Sequence, residues 1–213
     1  MKKDTRLILA LDVLSPEKAL DLSRSLKGHV DYIKIGYPLL LSAGLEIVGK
    51  ISSLVPVIAD LKVADIPNTN VLISKQILNS GAQGLISHAF TGKDSLEACV
   101  KVAREHEALI FAVTEMSHPG AADFMAPQAE RLAQIAVDCG VDGVVAPATR
   151  PERIKLIRSI IGDKVIISPG VGVQGGSAKT ALEAGADYLI VGRSIIEAKD
   201  PLSEAKKILS EIR

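Results

Sequence analysis

Residues 56–69 read Pro56-Val-Ile-Ala-Asp60-Leu-Lys62-Val-Ala-Asp65-Ile-Pro67-Asn-Thr69. The segment opens as an apolar strand over 56–61 and closes in charge. Asp60 and Lys62 are two residues apart and project to one face, because side chains alternate along a strand. Such a pair at the end of an otherwise apolar strand suits a closed barrel. The inward face of a barrel is a packed interior along most of its length and an active-site floor at the carboxyl end. Two more charges intrude in the same way: Lys34 lies between Ile33 and Ile35, and Asp12 ends the first apolar run. Any one of these four could be a solvated strand end or a structural ion pair. Together they suggest mutual compensation around something polar, since burying an isolated charge costs several kcal/mol. Alternating Lys and Asp also keeps each ammonium protonated and each carboxylate ionised, a state suited to a lysine that donates a proton.

Outward from this segment, seven similar apolar runs complete a set of eight: 7–12, 32–36, 56–61, 84–89, 109–114, 143–147, 164–169 and 188–192. Amphipathic stretches of about 10 to 15 residues separate them, as expected for parallel strands buried on both faces and joined by helices. Ser15-Pro16-Glu17 gives one helix start, with Ser as the cap and Pro in the first turn. Three junctions repeat one phrase, Gly81-Ala-Gln-Gly, Gly140-Val-Asp-Gly and Gly185-Ala-Asp-Tyr. Each places a glycine able to take positive φ at a helix end, just before a strand. Eight equivalent βα units in 213 residues fit a compact α/β (β/α)8 TIM barrel occupying 1–213 as one domain. A doubly wound open sheet satisfies the same alternation and differs only in strand order.

Composition narrows the function. Lys plus Arg and Asp plus Glu both number 25, giving zero formal net charge, so no long-range field favours nucleic acid or an anionic membrane. Trp is absent, with three Phe and three Tyr, which argues against a stacking surface for single strands. A small ligand held by a local site is the expectation. Cys99 and Cys139 lie in helical patterns and read as small buried hydrophobes, neither a disulfide framework nor a zinc site. The N-terminal MKKDTRLILALDVL imitates a signal peptide, but Asp12 interrupts the apolar run after about five residues, short of the roughly seven required. No run approaches the roughly 18 apolar residues of a membrane span. A cytoplasmic location is expected, where thiols stay reduced.

Two glycine-bearing loops mark an anion site. Ile167-Ser-Pro169-Gly170-Val-Gly172-Val-Gln174-Gly175-Gly176 follows the seventh run and Val191-Gly192-Arg193-Ser194 follows the eighth. Glycines let backbone N–H groups approach an anion, a helix N-terminus adds partial positive charge, and Arg193 can grip a phosphate with two donors. Loops seven and eight are the usual phosphate site of a (β/α)8 barrel. Gly170, Gly172 and Gly175 also match the dinucleotide pattern GxGxxG. That match is rejected: it lies near the C-terminus, and Asp187 begins its strand where the fingerprint requires an acidic residue ending one. Ser117-His118 is read as part of a turn, since adjacent residues rarely converge as nucleophile and base. His88, in the fourth run, is read as a hydrogen-bonded core histidine.

DLKVADIPNT resembles the DxKxxDI signature of the orotidine 5'-monophosphate decarboxylases. LALDV, IKIGYPL, TEMSHPGA, APATRPER, SPGVGVQGG and IVGRSI resemble further segments of that family in the same order, from about residue 7 to about residue 198. The similarity is greatest to its shorter, archaeal-type members. The resemblance implies a cofactor-free, metal-free decarboxylation in which Lys62 protonates C6 of the pyrimidine and Asp60 lies against the reacting carboxylate. It implies that Lys34 and Asp12 hold ribose hydroxyls and complete the charge network. Ser117 would contact the pyrimidine, Gln174 would bridge ring and phosphate, and Pro169 would line the substrate site. Gly192 and Arg193 would bind phosphate. Asp65, Ile66 and Thr69 would enter the site of the other subunit of a homodimer. The nearest rivals are sugar-phosphate lyases of the same suprafamily, which share DxKxxD but carry an acidic magnesium ligand where this chain has Lys34. An ammonium there would repel a divalent cation. A rival of another class is a non-catalytic phosphate-ligand sensor, which would not need Lys34, Asp60, Lys62 and Asp65 together.

Overall fold

The eight apolar runs are the eight strands of one closed parallel barrel in which neighbouring strands are consecutive in sequence, which excludes the doubly wound sheet. The computed structural model describes residues 1 and 3–212. The strands are β1 (Leu7–Ala10), β2 (Tyr32–Gly36), β3 (Val57–Val63), β4 (Gly84–His88), β5 (Leu109–Val113), β6 (Gly143–Val145), β7 (Val165–Pro169) and β8 (Tyr188–Val191). Closure joins β8 to β1 through pairs such as Ile8 with Ile190. The helices are α1 (Pro16–Ser25), α2 (Tyr37–Ala43), α3 (Glu46–Ser52), α4 (Pro67–Asn79), α5 (Lys93–Glu105), α6 (Ala121–Phe124), α7 (Ala129–Asp138), α8 (Pro151–Ile161), α9 (Ala178–Glu183), α10 (Arg193–Ile196) and α11 (Pro201–Glu211).

Both strand faces are buried, so the strands read as continuous apolar runs and their alternation emerges only in the packing. Leu7, Leu9, Ile33, Ile35, Val57, Ala59, Leu85, Ile110, Val144, Ile166 and Leu189 face outward into the layer between sheet and helices. Ile8, Ala10, Ile58, Ile86, Phe111, Val113, Val145, Ile167, Tyr188 and Ile190 fill the barrel. Lys34 and Asp60 follow the inward set by period two, and both are buried. The interior is tight at β6, where a Cβ on Gly143 would lie 2.3 Å from the Val165 carbonyl oxygen and 2.9 Å from the Phe111 ring. The absent side chain there makes room for Phe111.

The local signals act as the sequence suggested. Ser15 accepts from Lys18 N at 3.1 Å, with Pro16 in the first turn of α1. Gly81, Gly140 and Gly185 take φ of 104°, 73° and 110° at the ends of α4, α7 and α9. Cys99 and Cys139 are free and buried. Strand β3 departs from the expected 56–61 and runs two residues further, through an irregularity. Ala59 pairs with Leu85, and Val63 pairs with Ser87. Four steps on β3 thus match two on β4, and because the excess is even, the faces on either side of the bulge are kept.

Candidate active site

Period two sends Lys34 and Asp60 inward from β2 and β3, which are neighbouring strands, and the loop after β1 brings Asp12 beside them. Lys34 Nζ lies 2.9 Å from Asp60 Oδ2 and 3.5 Å from Asp12 Oδ1. Lys62 Nζ donates to both Asp60 oxygens at 2.9 Å. Asp60 is 7% exposed. Burial would raise its pKa, but the Lys34 and Lys62 ammoniums outweigh burial and hold the carboxyl below the ordinary range. The Lys34 side chain faces the converse balance: burial favours the neutral amine, while Asp60 and Asp12 overcome this and raise its pKa. The charge-compensated cluster expected from the sequence is therefore present, with Lys62 its most accessible ammonium at 33% side-chain exposure.

These four residues line a cavity of about 220 Å³ at the carboxyl end of the barrel, together with Ser117, Pro169, Gln174, Gly192 and Arg193. The loop after β7 is a hydrogen-bonded turn in which Gly172 N donates to Gly176 O at 3.1 Å and Gly176 N to Gly170 O at 2.9 Å. At Gly172, φ is 81° and a Cβ would fall 2.3 Å from Ser194 Oγ, so only glycine lets the seventh and eighth loops meet. The loop reaches across the cavity mouth, where Ser117 Oγ donates to Gln174 Oε1 at 2.8 Å. No ion pair involves Arg193 among the described residues; the residue is exposed and lines the cavity. Asp65, Ile66 and Thr69 do not line this cavity. Asp65 and Ile66 are exposed, and Thr69 lies in the first turn of α4.

Several contributors were missed. Ile86, Val145 and Ile190 form an apolar side of the cavity with Met116. The three strand residues are inward positions that alternation could have identified. Glu115 is fully buried beside Met116 and is held by Arg150 Nε at 2.7 Å and Arg153 Nε at 2.8 Å. Thr149 Oγ1 donates to the Ser117 carbonyl at 3.1 Å. These groups fix the segment that carries Ser117. The available signal was an acidic residue closing an apolar run, answered by two arginines after the next strand. Ser117 and His118 form no dyad, since Ser117 faces the cavity and His118 is exposed.

His88 corrects the sequence expectation in one respect. It is buried, but its Nδ1 has no hydrogen-bond partner, and its ring lies 4.6 Å from that of Phe90. Among the described residues, no group of three or more His, Cys, Asp or Glu side chains could hold a metal ion.

A (β/α)8 barrel with paired Lys–Asp charges on the floor of its carboxyl-end cavity, and a glycine loop with an arginine at the rim, has the build of a catalytic barrel. The sequence matches the profile of the orotidine 5'-phosphate decarboxylase / HUMPS family over residues 5–208, and the chain belongs to that family. An orotidine 5'-phosphate decarboxylase of Methanococcoides burtonii is 56% identical over 213 residues, spanning 100% of this chain and 99% of the relative. That of Methanosarcina acetivorans is 54% identical, spanning 100% and 97%. Among solved structures, the orotidine 5'-monophosphate decarboxylase of Methanocaldococcus jannaschii, complexed with the inhibitor BMP, superposes with a TM-score of 0.93 at 46% identity. The match covers 97% of this chain and 98% of that one.

The position of His88 gives a test of the network's charge. Burial first, and the Lys62 charge second, push the imidazole down to about 4, partly opposed by Asp60. It should therefore stay neutral across the range in which a free histidine, near 6.5, protonates. An NMR titration of the ring protons should give a midpoint near 4, and Lys62→Ala should move it upward. A midpoint near 6.5 would show that the imidazole feels neither burial nor the lysine.

Proposed function

We propose that this protein decarboxylates orotidine 5'-monophosphate to uridine 5'-monophosphate and CO2, the last step of de novo pyrimidine nucleotide synthesis. It would do so in the cytoplasm and without metal or organic cofactor. The observation that carries this reading is the Lys34–Asp60–Lys62 network on the cavity floor, in a chain of this family. Breaking the C6–carboxylate bond leaves its electron pair on C6, where no π-system delocalises it. Preorganised positive charge is then the means of lowering the barrier. The Lys62 ammonium faces the cavity beside Asp60. It would stabilise the developing carbanion and transfer its proton to C6, while Asp60 lies against the departing carboxylate. Lys34 and Asp12 would hold the ribose hydroxyls. Ser117 would contact the pyrimidine, and Gln174 would join ring to phosphate from the loop that begins at Pro169.

Turnover of orotidine 5'-monophosphate by the purified protein after exhaustive chelation tests both activity and metal independence. Full activity is expected, because Lys34 stands where the magnesium-dependent lyases carry an acidic ligand, and its ammonium would repel a divalent cation. Activity lost on chelation and restored by magnesium would favour a sugar-phosphate lyase instead.

Arg193 and the Gly192 backbone are assigned to the phosphate, in the loop position where this fold usually binds one. A charge-assisted contact of this kind contributes roughly 1.5 to 3 kcal/mol. Arg193→Ala should accordingly weaken binding of the nucleotide by about 10- to 100-fold while leaving the phosphate-free nucleoside little changed. Equal losses for the two ligands would exclude a phosphate contact.

The same reading makes the protein a homodimer in which Asp65, Ile66 and Thr69 complete the partner's site. Support comes from their absence from their own cavity and from exposed apolar side chains after three adjacent strands: Leu41 at 83%, Ile66 at 65% and Phe90 at 57%. Large apolar side chains left exposed on neighbouring βα units are what such an interface would cover. Mixing inactive Lys62→Ala and Asp65→Ala variants under conditions of subunit exchange should restore activity. Each mixed dimer then holds one site with both lesions and one with neither. No recovery despite demonstrated exchange would place Asp65 in the site of its own chain.

A further inference from the structure

Strand β3 loses its ladder at the residue on which the proposed chemistry depends. Toward β2 the pairing ends with Gly36 opposite Asp60, and toward β4 it passes from Ala59–Leu85 to Val63–Ser87. Leu61 and Lys62 therefore pair with neither neighbouring strand. Lys62 also adopts φ 45°, one of three non-glycine residues with positive φ among those described. A long side chain in this left-handed region is uncommon. Such a conformation costs on the order of 1–3 kcal/mol and persists only where its surroundings over-determine it.

Two hydroxyls flank the distortion. Tyr37, the first residue of α2, donates from Oη to the Leu61 carbonyl at 2.6 Å. Ser87, in β4, donates from Oγ to the Val63 carbonyl at 2.8 Å. The carbonyls of the two residues that flank Lys62 are thus tied to side chains from different βα units, on either side of the break in strand pairing. We propose that Tyr37 and Ser87 are positioning residues that hold the β3 bulge, and with it the left-handed backbone of Lys62, so that its ammonium meets Asp60 and the reacting carbon. This rests on the reading of Lys62 as proton donor. Burial and the Asp60 charge raise the Tyr37 pKa, which keeps the hydroxyl a donor. The Tyr37 ring is about half exposed, so phenylalanine in its place removes a hydrogen bond without opening a cavity in the core.

The test is Tyr37→Phe in the intact protein, with kcat, the inhibition constant of uridine 5'-monophosphate and thermal stability measured together. Loss of one hydrogen bond that fixes a reacting group should lower kcat by about tenfold, with product affinity and Tm close to those of the unaltered protein. Ser87→Ala should lower kcat in the same direction, and because the Val63 carbonyl is buried it should also lower Tm. An unaltered kcat in Tyr37→Phe, or a fall matched by an equal loss of product affinity, would overturn the proposal. If Lys62→Ala turns over normally, the proton-donor reading itself fails. An inactive Lys62→Ala beside a fully active Tyr37→Phe removes only the positioning role.

Discussion

One carboxylate sets the terms for the rest of the site. Asp60 is nearly excluded from solvent and remains ionised because two ammoniums stand at 2.9 Å from it. A carboxylate buried without them would cost several kcal/mol or take up a proton. The need for that compensation explains why Lys34 points into the barrel from the middle of β2, and why Asp12 follows at 3.5 Å to share its charge. The alternation Asp12–Lys34–Asp60–Lys62 is a chain in which each member supplies the field its neighbour requires. Removing Lys34 would leave two carboxylates, and removing Asp60 two ammoniums, each short of a counter-charge, so the group behaves as a unit.

The barrel gives that chain its location. Below it, Ile8, Ile58, Ile86, Phe111 and Ile167 fill the interior with apolar volume. That volume excludes water from beneath the charges and strengthens each electrostatic interaction through a low effective dielectric. Above it, the side chains and loops meet the cavity. A protein with equal numbers of acidic and basic residues has no net charge to contribute at long range. The field acting on a ligand in the cavity is therefore a local property of the four charged side chains and Arg193.

Fold and site were legible in the sequence to different degrees. The eight strands could be read because burial on both faces leaves uninterrupted Ile, Val and Leu runs. The charges that break those runs could be read for the same reason. Strand order could not, since an open sheet yields the same runs. Asp60 and Lys62 were correctly placed on one face, although the simple alternation behind that reading is not the local geometry: the bulge adds an even number of residues and so preserves the outcome. The bulge itself left no trace, because Lys62 at positive φ has no glycine to announce it. Tyr37, Glu115, Arg150 and Arg153 escaped for a related reason. They bind backbone or one another across long sequence separations and do not touch the cavity, so neither periodicity nor a cavity-centred motif selects them.

The two loops that meet over the cavity are anchored in different ways, and this bears on how remote binding energy reaches the chemistry. Ser117 belongs to a segment tied to buried Glu115, with two arginines and Thr149 holding the chain around it. Gln174 sits at the tip of a turn built on glycines, joined to that fixed wall through its bond with Ser117. An anion held by Gly192 and Arg193 would add a second attachment to the glycine-turn side alone, because the turn and the eighth loop are already in contact at Gly172 and Ser194. For the proposed reaction, the phosphate would then act by securing the cover over the pyrimidine, many bonds from C6. In the proposed reaction, binding energy far from the reacting atoms would thereby serve to exclude water around the Lys62–Asp60 pair. The rigid wall and the glycine turn are both necessary to that effect, since two flexible loops would spend the same contact on ordering each other.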